Sequence, residues 1–191
     1  MKRIKEFLRK HWGKLCIAAV CLIVAGYFVN IIFFQNKKEV LTVLVLQTEV
    51  DREALTEEIQ KAVDVNGREE ISIQTLDYNN PVNQGVAVTW LRSGTIDLII
   101  GSEEEMTVFG QYGYLMDLKD IKMTTEKEKF MCGTAEFDDD GNILSVEGSD
   151  WVGVYPGQIA GIEGMDSPVI SIVRNAPQKE NAVSTIKILC K

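Results

Sequence analysis

The chain has 191 residues, 46% of them hydrophobic and 25% charged, which excludes a disordered or collagen-like polymer and suits one ordinary domain or two very small ones. The net charge of -8 conceals an asymmetry: residues 1–34 hold six Lys/Arg against one acid, Glu6, while residues 35–191 hold fourteen against twenty-seven and carry -13. So acidic a surface argues against nucleic acid as a partner. The only histidine is His11, so residues 35–191 have none for Ser–His–Asp or Cys–His catalysis or for His-ligated zinc.

Residues 1–14 (MKRIKEFLRKHWGK) form a basic tail, and residues 15–34 carry no charge. Twenty helical residues span about 30 Å, the thickness of a bilayer's hydrocarbon core. A cleaved signal peptide has a shorter apolar region and a small-residue cleavage site. No such site follows Phe34. The segment therefore reads as an uncleaved, single-pass transmembrane anchor. The positive-inside rule keeps the tail cytoplasmic and puts the acidic part outside the cell membrane. Cys16 and Cys21 fall in the anchor. Cys132 and Cys190 read as separate buried thiols, although an exported location also permits a disulfide between them.

After a polar link at 35–39, Val40–Leu46 is a continuous apolar, β-branched run, the pattern of a strand buried on both faces. Asp51–Val63 spaces Leu55, Ile59, Ala62 and Val63 along one helical stripe, and Asn66-Gly67 ends it. Ile71–Leu76 alternates as a strand does, and Pro81–Arg92 spaces Val82, Val86 and Trp90 by four, as a helix does. Thr95–Ile100 is a third strand. Ser102–Gln111 opens with a capping box, Ser102 and Glu105, and three acids in its first turn. This alternation predicts a mostly parallel sheet flanked by helices. Residues 120–130 suggest a short helix. Phe130–Phe137 and Ile143–Glu147 flank DDDGN as a hairpin, Trp151–Gly164 is glycine-rich and loop-like, Pro168–Val173 is strand-like, and Gln178–Leu189 is a last helix.

Several motifs invite chemistry. Glu136–Glu147 resembles a calcium-binding loop at Asp138, Asp140, Gly141, Ile143 and Glu147. However, it starts with Glu136 where Asp is expected, and GSDWVGVYPG behind it is a poor helix former. A hairpin turn is the simpler reading, and no metal is expected. Paired carboxylates such as Glu57-Glu58 suit solvated helix faces better than a catalytic pair. Gly157, Gly161 and Gly164 make no phosphate fingerprint. No cofactor and no enzymatic activity are expected.

Gly94–Ile121 (GTIDLIIGSEEEMTVFGQYGYLMDLKDI) resembles the extracellular solute-binding proteins of ABC transporters, the two-lobed type. The shared pattern is a strand holding Asp97-Leu98-Ile99-Ile100, a capped helix at Ser102–Gln111, and then Gly113 to Leu118. Ser167–Leu189 is similar to that family's return strand, polar loop and final helix. The stretch from Lys119 to Ser167 holds fewer than fifty residues, too few for a second lobe. The chain thus resembles roughly one lobe, with a hairpin insertion at about 130–166.

These readings together imply a membrane-anchored, non-catalytic α/β binding domain at residues 40–191. Its expected partner is a small solute (a sugar, an amino acid or a peptide) or a membrane protein. Ligands of open α/β sheets lie beyond the carboxyl ends of strands. Thr48, Tyr78, Ser102 and Arg174 are the candidates for polar contacts, and Trp151 and Tyr155 for stacking. For Thr48 and Ser102, simple capping is an equal alternative. The rival reading is a scaffold or assembly subunit with no small ligand, marked by an exposed apolar patch around Met106–Met116 or Trp151–Tyr155.

Overall fold

The computed structural model describes residues 17, 19–28, 37–122 and 128–190. The chain divides into two units, one ending at Lys38 and the other running from Glu39 to Lys191. In the first, residues 17 and 19–28 are helical and exposed. Among the described residues no helix is long and apolar enough to cross a membrane. The basic tail, the remainder of the 15–34 segment and residues 123–127 of the short helix expected at 120–130 lie outside the described residues; of the rest of that stretch, 120–122 are not helical and Lys129 and Phe130 begin a strand instead.

The second unit follows the expected alternation. Strand β1 (Lys38–Val45) leads to helix α1 (Arg52–Gln60), strand β2 (Glu69–Thr75), helix α2 (Pro81–Ser93), strand β3 (Leu98–Gly101) and helix α3 (Glu103–Gln111). Strands β4 (Lys129–Phe137), β5 (Ile143–Val154) and β6 (Val169–Ile172) follow, and helix α4 (Lys179–Leu189) closes the unit. Local chemistry sets the helix ends. Asp51 caps α1 through the N–H groups of Glu53 and Ala54. Asn80 caps α2, and Gly94, with φ of 67°, ends it in the left-handed conformation that glycine adopts most easily.

The six strands form one sheet in the order β2-β1-β3-β6-β5-β4. Pairing is parallel for β1–β3 and antiparallel for β3–β6, β6–β5 and β5–β4. Strands β1, β3 and β5 therefore run one way, and β6 and β4 the other. Within this mixed sheet, parallel pairing belongs to the β1–β3 side, and β6 enters reversed. The hairpin is not a separate insertion. Its second strand is longer than expected, reaching Val154, which pairs with Ile170 and extends the main sheet.

Helices cover both faces. On one, Val43, Val45, Leu98, Ile100 and Ile172 pack against Leu55 and Ile59 of α1 and Ala182, Ile186 and Leu189 of α4. On the other, Leu44, Leu46, Ile99 and Val169 pack against Ala87 and Leu91 of α2 and Met106 and Phe109 of α3. Each fully buried Leu, Ile or Phe contributes roughly 1.5–3 kcal/mol through loss of contact with water. Cys132 lies in the second cluster and Cys190 in the first. The sheet separates the two thiols, and no disulfide joins them.

Candidate functional site

Three chain segments meet where β1 and β3 end. They are Gln47–Glu49 after β1, Ser102 and Glu105 at the start of α3, and Gly164–Asp166 in the loop between β5 and β6. Together they line a crevice of about 430 Å³. The loop continues into a neighbouring hollow of about 540 Å³ lined by residues from Gly157 to Met165 and by Pro168. Both volumes fall within the range of small-molecule sites.

The crevice is held in place by backbone contacts. The Gln47 side-chain amide donates to the Glu163 carbonyl at 2.6 Å and to the Glu49 carbonyl at 3.0 Å, tying the loop to the end of β1. Asp51 N–H donates to the Gly161 carbonyl at 2.9 Å. Gly161 has φ of 80°, and a Cβ there would sit 2.3 Å from the Asp51 carbonyl oxygen, so only glycine fits. At the far wall, a Cβ on Gly101 would meet the Leu46 side chain at 2.7 Å.

Thr48 and Ser102, both expected at the carboxyl edge, line this crevice. Ser102 is also occupied as a cap. Its hydroxyl accepts the Glu105 N–H at 3.4 Å, and its own N–H donates to the Glu105 carboxylate at 2.8 Å. Three crevice residues are acids, Glu49, Glu105 and Asp166, and none is basic. The chemistry suits a neutral or cationic polar group rather than an anion.

Tyr155 follows the end of β5 and hydrogen-bonds the Glu103 carboxylate at the start of α3. Burial, that hydrogen bond and the nearby charges of Glu103 and Glu128 push its phenol up to about 12. Trp151, expected to stack beside it, packs against the opposite face of the sheet. Its indole N–H donates to the Gly153 carbonyl at 2.7 Å, and the Lys129 ammonium lies 4.4 Å from its ring centre. The cause is an irregular register: Met131 pairs with Trp151 while the adjacent Phe130 pairs with Gly153. The extra residue on β5 reverses the alternation, so two residues four apart face opposite sides. Both were expected in a loop, but Trp151 lies within β5.

Arg174 is also displaced from its expected place. Because β6 is antiparallel, its end lies beside the start of β3, Ile172 opposite Leu98, while its beginning, Val169, lies opposite Gly101. Arg174 N–H donates to the Tyr114 carbonyl at 2.8 Å on that edge. Tyr78 lines a different hollow, a groove between α2 and α3 of about 420 Å³. Burial, then Glu105 and Tyr112, raise its phenol above the ordinary value.

The residues missed in the sequence are Gln47 as a tether, Glu105 as a crevice wall, and Gly164–Asp166. The glycines of the 157–164 stretch were a usable signal, since closely spaced glycines mark close backbone approach. The calcium-loop resemblance resolves into the turn of the β4–β5 hairpin, where Asp138 accepts from the N–H groups of Asp140 and Asn142 at 3.0 and 2.7 Å. Strands flank it rather than helices.

No family model matches the chain, and no curated protein matches it. Among solved structures, the chain is distantly similar to PBP AttC of Agrobacterium tumefaciens strain C58 in its open unliganded conformation, at 13% sequence identity and a TM-score of 0.41, over 80% of this chain and 79% of that one.

Proposed function

We propose that this is a membrane-anchored, extracytoplasmic, non-catalytic binding protein that takes a small polar solute in the crevice at the ends of β1 and β3. The observation that carries the reading is the convergence of Thr48, Ser102, Glu105 and Asp166 on one hollow of about 430 Å³. Thr48 supplies a hydroxyl, Glu49 and Asp166 supply acceptors, and the backbone of Gly164 allows close approach. The anchor rests on the uncharged run at 15–34 and its basic flank. A non-catalytic role is supported by the lack of histidine in residues 35–191 and by the Cys132 thiol. That thiol is buried, and its pKa is raised by burial and by Asp150, which leaves it a poor nucleophile.

Thermal unfolding of the full chain in detergent, with a panel of sugars and amino acids, tests the reading. A solute at about 100 times its Kd stabilises the fold by roughly 2.7 kcal/mol, a shift of several degrees for a chain of this size. Thr48→Ala should diminish that shift. A flat panel defeats the proposal.

A specific observation favours a second reading, an assembly subunit that packs on another protein. Met131, Ile143, Leu144 and Val146 of the β4–β5 hairpin are all exposed, Leu144 by 68%. Of the patch expected around Met106–Met116, Met106 and Met116 themselves are buried, while Val108 and Tyr112 between them are exposed. Cross-linking in native membranes separates the readings: a stable neighbour captured through the hairpin, with no solute response, supports the scaffold.

A further inference from the structure

We infer that the groove between α2 and α3 is a docking site for a proline-rich segment of a partner protein. This groove is separate from the crevice and is lined by aromatic side chains. The Phe109 ring lies 5.3 Å from Tyr78 and 6.3 Å from Tyr114, and Tyr114 lies nearly parallel to Tyr112, at 14°. Tyr112 is 47% exposed, and its ring is steadied by stacking on Phe137 at 4.7 Å.

Gly85 forms part of the groove wall. Glycine inside a helix weakens it relative to alanine. Nothing lies within 4 Å of where a Cβ would stand, and its backbone is not left-handed. Neither conformation nor packing within this chain requires glycine there. Its effect is to leave the groove open.

The charge pattern selects the occupant. Residues 35–191 hold twenty-seven acids, yet none lines this groove, and its one charged lining residue is Arg92. The Arg92 guanidinium sits 5.8 Å from the Tyr114 ring centre, with Nε donating to the Tyr114 hydroxyl at 2.9 Å. The groove thus offers ring faces and hydrogen-bond donors without carboxylate acceptors. A polyproline II segment matches: it presents apolar pyrrolidine rings and carbonyl acceptors, its prolines have no N–H to satisfy, and little entropy is lost on binding. From Pro81 to Arg92 the groove wall rises about 16 Å, enough for roughly five residues of that helix.

The test is fluorescence anisotropy of fluorescein-labelled decaproline with the full chain in detergent, against a labelled Gly-Ser decamer. Decaproline should bind and the Gly-Ser peptide should not. Gly85→Leu and Tyr112→Ala should each weaken binding at least tenfold. Gly85→Leu should melt no lower than the wild type, so its loss of binding is not unfolding. No binding of decaproline, equal binding of the Gly-Ser peptide, or unchanged affinity in both variants would overturn the inference.

Discussion

The carboxylate of Asp97 accepts the backbone N–H of Gln178 at 2.6 Å, 81 residues away in sequence. Its other oxygen accepts the N–H of Thr42 at 2.8 Å. Gln178 is the N-cap position of α4 and makes no side-chain cap of its own. Asp97 therefore supplies the cap from β3's approach, tying α4 to β1 through one buried side chain. Asp97→Ala would leave two backbone donors without their acceptor, a loss of roughly 2–4 kcal/mol. Urea denaturation of the two proteins measures it.

Burial raises the Asp97 carboxyl above its ordinary 3.8, opposed by the hydrogen bonds from Thr42 and Gln178 and aided by Glu39. A carboxyl raised on folding contributes stability that is whole below its unfolded pKa and is lost as pH rises through the folded one. Asp97→Asn cannot ionise. The stability advantage of the wild type over Asp97→Asn should be greatest in acid and shrink as pH climbs out of the ordinary carboxylate range. Paired denaturation curves across that range check this, and a gap that widens with pH would contradict it.

Gly161→Ala should do double damage. The new methyl would meet the Asp51 carbonyl in a backbone that already disfavours any side chain. The loop would have to lift from α1, at a cost of about 1 kcal/mol or more. Because the same loop supplies Gly164–Asp166 to the crevice, any solute-dependent thermal shift should fall with it.

Ultraviolet titration of the tyrosines tests the Tyr155–Glu103 contact. The wild type should show a late component near 12 that disappears in Tyr155→Phe. Glu103→Gln should move that component down, because the acceptor carboxylate and its charge are both removed.

Much of the first half of the domain was legible because its signals are local. The Ser102–Glu105 capping box and the Leu55–Ile59 stripe of α1 each depend on residues within a few positions. The direction of β6 was not legible: Pro168–Val173 is an apolar run that reads the same in either orientation, and only its neighbours in the sheet decide. Arg174 was misplaced for that reason alone. Trp151 and Tyr155 were misplaced because one bulge, set by pairing with β4, reverses the pleat between them. Glycine misled too. Gly153 suggested a loop, yet it sits in a strand, where glycine is needed because a Cβ would strike the Ser171 hydroxyl at 2.5 Å.

Amide chemical-shift mapping bears most directly on the central claim, that the carboxyl-edge crevice takes a small polar solute. The solute giving the largest thermal shift would be titrated into the isotopically labelled protein. The largest changes are expected at Gln47, Thr48, Ser102 and Gly164, with the β4–β5 hairpin unmoved. Changes confined to other surfaces, or none at all, would contradict it.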